Sequence, residues 1–349
     1  MRYTTPQRPL EVAELFPQLA PLARTATRLH PRPGSPTPHD SSVGGPLLWP
    51  ADEPWPHCEA PHEQGRAKPL LSPDDVRAWR HHRRACEERR RLDPQGPWAT
   101  PEELAREKEI LVGRPWPEGP IAMLPIAQLY VRDVPLLPRP AQSDADLLQV
   151  LWCPFDHPEY PKTALFWRSA ATVTKPLATP PEPSAIRFET YLPEPCLLTP
   201  EPVTEYPNYL ELSQELQEQL GDLSQWQAGA GPALDSSYRI APQERYVDML
   251  SIAPGWKTGG WTRWGLTDPI PRRCSECGCE AEPLLTIATT EWASGGESWA
   301  PEEEQTHPTP LLPGNPPANF TMIDIASGYD LQLHTCPVSP NHPHIDLIQ

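Results

Sequence analysis

The chain has 349 residues, of which 52 are proline and 13 are tryptophan. The tryptophans exclude a wholly disordered chain, because disordered sequences contain few large aromatic residues. The prolines predict loops and short strands, since proline has no backbone N–H to donate. The formal charge is −17, from 29 basic and 46 acidic residues, which argues against nucleic acid and anionic membranes as partners.

The sequence shows no secretory signal and no membrane span. No run approaches the roughly 18 consecutive apolar residues of a membrane helix, and Pro17 and Pro21 interrupt the N-terminal apolar positions. We therefore expect a cytoplasmic protein. In such a reducing compartment the eight cysteines are free or bound to metal rather than paired in disulfides.

The predicted elements divide the chain into four regions. Apolar residues at near-helical spacing predict helix in the N-terminal region. Short strands and turns predict β structure in the first and last halves, and proline-rich sequence marks the connector between them. The regions are an N-terminal helical segment (1–34), a first half (35–175) with a helical insertion (72–114), a connector with one helix (176–235), and a second half (236–349).

Two helix starts define the helical insertion. Ser72 and Thr100 each precede a proline and two acidic residues, which is the pattern of an N-cap followed by a favourable first turn. Arginines and glutamates four residues apart then predict a solvated helix face. We place Cys86 on that face as an ordinary thiol.

The two halves repeat one order of residues. A glycine pair, prolines and a cysteine occur in GGPLLWPADEPWPHC (44–58) and again in GGWTRWGLTDPIPRRC (259–274). A strand, a Cys-Pro and a His-Pro then occur in DLLQVLWCPFDHP (146–158) and in YDLQLHTCPVSPNHP (329–343). The sequence therefore predicts an α+β fold of mostly antiparallel sheet, built from two pseudo-repeated halves.

The second half carries a zinc-knuckle spacing. Cys274 and Cys277 lie three residues apart before Gly278, so that both thiols can bind one ion on a tight turn. Cys336 is the expected third ligand. The fourth is His342 by analogy with the first half, with His344 and Cys279 as open alternatives.

The first half carries two Cys-His pairs of equal spacing. Cys58 precedes His62 by four residues, and Cys153 precedes His157 by four. The two cysteines fall where Cys274 and Cys336 fall in the repeat, which predicts a second tetrahedral zinc site with two sulfur and two nitrogen ligands. His57 is an alternative to His62.

These motifs resemble the YwqG-like family of bacterial proteins, in particular an actinobacterial branch. The resemblance is carried by GGPLLWPADEPWP (44–56), LPIAQLYVRDVPLLP (124–138), APGWKTGGWTRWGLTDP (253–269) and CSECG (274–278). It covers roughly residues 43–71, 115–170 and 245–349. The resemblance implies an α+β fold with antiparallel sheet and internal duplication, and no established activity. Many relatives carry a further cysteine where this chain has Ser339, which leaves the fourth ligand of the second site open.

Two zinc ions with four protein ligands each are structural, because neither keeps a position for water. The sequence also has no HExxH, G-x-S-x-G, P-loop or Rossmann glycine motif. We therefore favour a non-enzymatic binding protein with a protein partner, of which a toxin-neutralising factor is one version. The alternative is an enzyme or small-molecule-binding protein with its site in the groove between the halves, lined by tryptophans such as Trp49 and Trp261.

Overall fold

The computed structural model describes residues 2–62, 69–139, 144–157, 160–230, 241–292, 296–309, 318–339 and 341–349. Within these ranges no helix is both long and apolar enough to cross a membrane. All eight cysteines are described, and each is a free thiol.

Seven α-helices occur in the described part of the chain, and two of them lie in the predicted insertion. The longer one, α2, begins after Ser72 and the next, α3, after Thr100; each cap residue exchanges hydrogen bonds with the acidic residue three positions on. These capping boxes supply hydrogen-bond acceptors for backbone N–H groups that have no partner within the first turn of a helix. The helices are α1 (Val12–Leu15), α2 (Pro73–Leu92), α3 (Pro101–Ile110), α4 (Gln214–Gly221), α5 (Leu223–Ala230), α6 (Pro242–Arg245) and α7 (Glu302–Thr306).

Fourteen strands in the described residues form two six-stranded sheets and one small ladder. The first sheet contains β2 (Arg32–Pro33), β3 (Ser42–Val43), β6 (Leu124–Tyr130), β7 (Leu147–Asp156), β8 (Pro161–Arg168) and β9 (Cys196–Leu197). The second contains β1 (Arg24–Arg28), β10 (Glu201–Glu205), β11 (Lys257–Gly259), β12 (Glu282–Ile287), β13 (Leu331–Thr335) and β14 (Ile345–Ile348). The ladder pairs β4 (His57–Cys58) with β5 (Ile121–Ala122).

The N-terminal segment and the connector each supply one strand to each sheet. The first sheet has the order β2-β9-β3-β6-β7-β8, and the second has the order β10-β1-β11-β12-β13-β14. The early strand β1 thus lies between β10 of the connector and β11 of the second half, and β9 lies between β2 of the N-terminal segment and β3 of the first half. The recorded strand pairs are antiparallel, so the predicted α+β fold with mostly antiparallel sheet is confirmed.

One apolar core joins the two sheets. Ile126 and Val150 of the first sheet and Leu285 and Leu333 of the second belong to a single cluster of buried side chains. Burial of this kind stabilises a fold by about 25 cal/mol for each Å² of apolar surface removed from water. A second cluster packs α1, α4 and α5 together through residues such as Leu19, which is fully buried.

In each half a buried glutamine donates to a backbone carbonyl in the loop after the glycine pair. In the first half, the side-chain amide of Gln149 donates to the carbonyl of Leu48 at 3.0 Å. In the second half, Gln332 donates to the carbonyl of Arg263 at 2.8 Å and accepts from its N–H at 3.0 Å. Each glutamine stands four residues before a predicted ligand, Cys153 or Cys336. The strand order and these contacts agree between halves, while duplication of the sequence stays a prediction.

Four regions differ from the sequence-based expectation. The N-terminal segment is helical in α1 and in a 3₁₀ turn at Pro17–Leu22, but residues 24–33 contribute β1 and β2 instead. The connector contributes β9 and β10, because its extended proline-rich chain pairs with both sheets. Cys86 is buried rather than solvated, since α3 packs on that side of α2. The prolines and acidic residues of 293–319 predict a loop, but its residues 296–309 contain α7; residues 293–295 and 310–317 lie outside the described residues.

We expect Gln332→Leu to lower the free energy of unfolding by about 1–3 kcal/mol, because the N–H and carbonyl of Arg263 then lose their buried side-chain partner. Chemical denaturation of the purified protein measures this. Gln243→Leu, on an exposed position of α6, is the matched control and should change stability by less than about 0.5 kcal/mol. Equal stability of the two variants would mean that the hydrogen bonds between Gln332 and Arg263 do not contribute to stability, which would contradict this explanation.

Candidate metal centres

The first cluster forms where β4 and its following loop meet β7. Cys58 is the last residue of β4, and pairing of that strand with β5 fixes its position beside the sheet. Cys153 lies on β7, whose register with β8 is interrupted between Trp152 and Asp156. Such an irregularity bends a strand and turns a side chain out of the ladder. His62 and His157 follow the two cysteines and complete the group.

The four side chains of the first cluster are as close together as one metal ion requires. The Nε2 of His62 lies 3.1 Å from the Sγ of Cys153, and the Nε2 of His157 lies 3.6 Å from the Sγ of Cys58. A tetrahedral ion with bonds of about 2.3 Å to sulfur and 2.0–2.1 Å to nitrogen would place sulfur and nitrogen about 3.6 Å apart. All four donor atoms lie within 4.8 Å of one another.

Burial sets the protonation of the first cluster. Burial lowers the pKa of His62, and burial together with the charge of His62 lowers the pKa of His157 to about 4. Both imidazoles are therefore neutral at pH 7, which is the form that binds metal. Burial raises the pKa of Cys153, so its thiolate needs a cation beside it.

Alternation along β4 decides between the two candidate histidines. Neighbouring residues of a strand point to opposite faces. Cys58 is buried, whereas His57 is exposed and its Nδ1 lies 2.8 Å from the carbonyl oxygen of Trp55. His62 is therefore the member of the cluster, and His57 is not.

The second cluster is built on a tight hairpin. A bridge between Arg273 and Glu280 closes the hairpin, and the N–H of Gly278 donates to the carbonyl of Cys274 at 2.9 Å. Gly278 has a φ of 72°, which glycine adopts without steric cost. The turn brings Cys274 and Cys277 to Cys336, which follows β13 directly.

Backbone amides point at the sulfurs of the hairpin and of the chain after β13. Burial acts to raise the pKa of Cys274, but hydrogen bonds from the backbone of Cys277 and Glu276 lower it. Burial also acts to raise the pKa of Cys336. Hydrogen bonds from the backbone amides of Ser339 and Val338 help to overcome this effect and lower the pKa to about 7. Amide donors of this kind stabilise the thiolate, which is the metal-binding form of cysteine.

His342 is the fourth member of the second cluster. Its Nδ1 lies 3.4 Å from the Sγ of Cys274 and 3.3 Å from the Sγ of Cys336. His344 is placed elsewhere, with its Nε2 2.7 Å from the hydroxyl of Thr163. Cys279 lies beside the cluster, with its Sγ 3.2 Å from the Sγ of Cys277.

The structure thus brings together the eight predicted ligands in two groups of four, and each group could hold a metal ion. Cys196 is buried in the core. Trp49, one of the tryptophans that the alternative hypothesis placed in a groove between the halves, is also buried, as are Trp55, Trp152 and Trp264. Trp261 is half-buried and stacks under the guanidinium of Arg24.

A buried ionic cluster was not predicted. Arg28, His30 and Arg32 lie at the crossover from β1 to β2 and are nearly inaccessible. All three bind Glu291, and Arg32 also donates to Glu304 at 2.7 Å. Burial alone would raise the pKa of Glu291, but these cations lower it. The sequence signal is the RTATRLHPR run (24–32), whose cations have no local acidic partner.

Beside this cluster lies a cavity of about 300 Å³, lined in part by Arg8, Glu201 and Trp299. Glu201 connects the two, because its carboxylate lies 3.2 Å from the Nε2 of His30. His30 itself has a φ of 45°, a conformation that costs a non-glycine residue on the order of 1–3 kcal/mol.

No protein-family model matches the chain, and no curated protein matches it significantly.

We expect Gly278→Ala to destabilise the protein by about 1–2 kcal/mol, since a Cβ disfavours the left-handed conformation of this turn. The added Cβ meets nothing within 4 Å, so backbone strain is the cause. Gly278→Asn should cost less, because asparagine tolerates this conformation better. Chemical denaturation tests the order. Gly265→Ala, where there is equal space and ordinary φ, is the control, and an equal loss there would contradict the explanation.

Proposed function

We propose that this protein is a non-enzymatic, cytoplasmic binding protein whose fold is held by two structural zinc ions. The observation that carries the proposal is the pair of clusters, each with four protein donors within 4.8 Å of one another. The similarity to the YwqG-like family is part of the same proposal and is supported by the shared motifs named above.

Zinc is supported by the chemistry of the donors. One cluster offers two thiols and two imidazoles, and the other three thiols and one imidazole. Sulfur and imidazole nitrogen in a tetrahedral group of four are typical ligands of structural zinc, whereas calcium and magnesium require oxygen. The absence of disulfides among the eight cysteines is compatible with this proposal.

Saturated coordination supports a structural rather than a catalytic role. A catalytic zinc ion has three protein ligands and leaves a fourth position for water or substrate. Here at least four side chains surround each centre. Three of those in the first cluster lie against its apolar neighbours: Cys58 and Cys153 are buried beside Phe155, and the ring of His62 is 5.4 Å from that of Phe155.

Charge supports a basic protein as the partner. The formal charge of −17 speeds association with a cationic surface and opposes association with an acidic one. A factor that neutralises a basic toxin is one concrete form of this proposal.

A second candidate function rests on the cavity beside the buried ionic cluster. The cavity has Glu201 and Arg8 in its wall and the ring of Trp299 beside them, and a pocket with a few charged groups in an apolar wall suits a small polar molecule. This candidate is the small-molecule-binding alternative, placed at the N-terminal segment rather than among the tryptophans.

We expect the purified protein to contain two zinc equivalents per chain by elemental analysis. Cys153→Ser and the double variant Cys274→Ser/Cys277→Ser should each reduce the content to about one, because each leaves no more than three Cys or His donors at one cluster. Cys86→Ser is the control and should retain two, since Cys86 is buried in α2 outside both clusters. A folded, stable wild-type protein that contains no metal would refute the zinc proposal.

The two functional candidates give opposite results in two assays. A binding protein should retain a partner in pull-down at cellular protein concentrations, and salt should weaken the complex because charge contributes to it. Under the second candidate no partner is recovered, and a small-molecule panel gives a saturable thermal shift that Arg8→Ala abolishes. That combined outcome would overturn the first candidate.

A further inference from the structure

The second cluster has a fifth donor that the four-residue group leaves out. The Sγ of Cys279 lies 3.2 Å from the Sγ of Cys277 and 3.4 Å from the Sγ of Cys336. His342 contacts the cluster from another side, through Cys274 and Cys336. Five donors therefore surround a centre that zinc fills with four.

The backbone of the hairpin holds Cys279 in this position. The N–H of Cys274 donates to the carbonyl of Cys279 at 2.9 Å, and the bridge between Arg273 and Glu280 closes the chain directly after it. Two sulfurs on one tetrahedral zinc ion are about 3.8 Å apart. Cys279 is already within that distance of two other thiols. It is outside the group of four donors that all lie within 4.8 Å of one another, so its side chain must move toward the remaining ligands to join the ion.

Charge near the hairpin favours a fourth thiolate. Four thiolates on Zn²⁺ carry a net charge of −2, whereas three thiolates and a neutral imidazole carry −1. Arg272 and Arg273 immediately precede Cys274, and a guanidinium nitrogen of Arg273 lies 3.4 Å from the carbonyl oxygen of Gly278. Arg272 is paired with Glu211 and Glu280, so the reduction in the electrostatic cost of the additional negative charge rests on Arg273.

We propose that Cys279 is an alternative fourth ligand of the second cluster, so that a thiophilic divalent ion there exchanges His342 for Cys279 while it stays bound. This inference rests on the proposed zinc site. The exchange replaces one metal–nitrogen bond with one metal–sulfur bond, and the Cys279 thiol releases its proton to solvent. The segment around His342 is then free of the ion, while the hairpin and Cys336 keep it.

The first cluster shows a different arrangement. Among the described residues, the hydrogen-bond contacts of Cys58 and Cys153 with thiols or imidazoles are with members of their own group of four. Loss of a histidine there leaves three donors, so His62→Ala serves as the matched control for the second cluster.

The test measures bound Co²⁺ per chain in the full-length protein, with the absorption of the thiolate–cobalt bond as a second readout. Wild type and Cys279→Ser should bind two equivalents. His342→Ala should also bind two equivalents. Its thiolate–cobalt absorption should be stronger, because four thiolates then bind the second ion instead of three. His342→Ala/Cys279→Ser and the control His62→Ala should each bind one.

Two results would overturn the inference: a single equivalent in His342→Ala, or two equivalents in the double variant. The ion retained by the first cluster and the circular dichroism spectrum report whether each variant is folded. Failure of the zinc proposal looks different, because the wild type would then bind no ion at either cluster.

Discussion

The reciprocal exchange of β1 and β9 is the constraint on which the rest of the structure depends. The N-terminal segment supplies β1 to the second sheet, and the connector supplies β9 to the first, each at the second position of the strand order. Neither sheet is therefore complete without a strand from a distant part of the chain. The chain passes from the second sheet to the first between β1 and β2, and returns between β9 and β10. The N–H of Leu29 donates to Trp256, and the N–H of Thr199 donates to Leu29. The two crossings therefore touch.

Buried charge reinforces the crossing. Arg28, His30 and Arg32 come from the first crossing chain, while Glu291 and Glu304 come from the second half. A buried ion pair is weak evidence for net stability, but removal of one partner costs on the order of 3–5 kcal/mol because it leaves an uncompensated charge. The cluster thus penalises any other pairing of β1 and specifies the crossing.

The two metal clusters lie at equivalent places in this arrangement. Cys153 is on β7 and Cys336 follows β13, and these are the fifth strands of their sheets. In each case a loop from earlier in the same half supplies another cysteine. The exchanged strands join the two sheets near one edge of each, and each Cys/His cluster brings together side chains of one half toward the other edge.

Part of this structure could be predicted because it depends on local spacing. The Cys-x2-Cys-Gly pattern specifies a turn whose geometry is fixed by covalent bonds and by Gly278, and repetition of that order identified Cys58 and Cys153. The capping residues Ser72 and Thr100 act over three residues, so the first residues of α2 and α3 could also be predicted from the sequence.

The rest depends on partners distant in the sequence. The strand β1 reads RTATR, and its arginine at 28 becomes a core residue only because Glu291 meets it there. The strand β9 has two residues, too few for any periodicity, and its pairing comes from the position of β2 and β3. The burial of Cys86 likewise required knowledge of where α3 packs.

The exchange of strands has a consequence for synthesis on the ribosome. The chain emerges from its N-terminus, so β1 leaves the tunnel long before β10 and β11, the strands that flank it, have been made. Until then β1 has two open edges, and an unpaired strand is a template for association with other chains. Nascent polypeptides that stop before Gly259 consequently retain an unfilled ladder, which makes truncated products substrates for chaperones rather than independent domains.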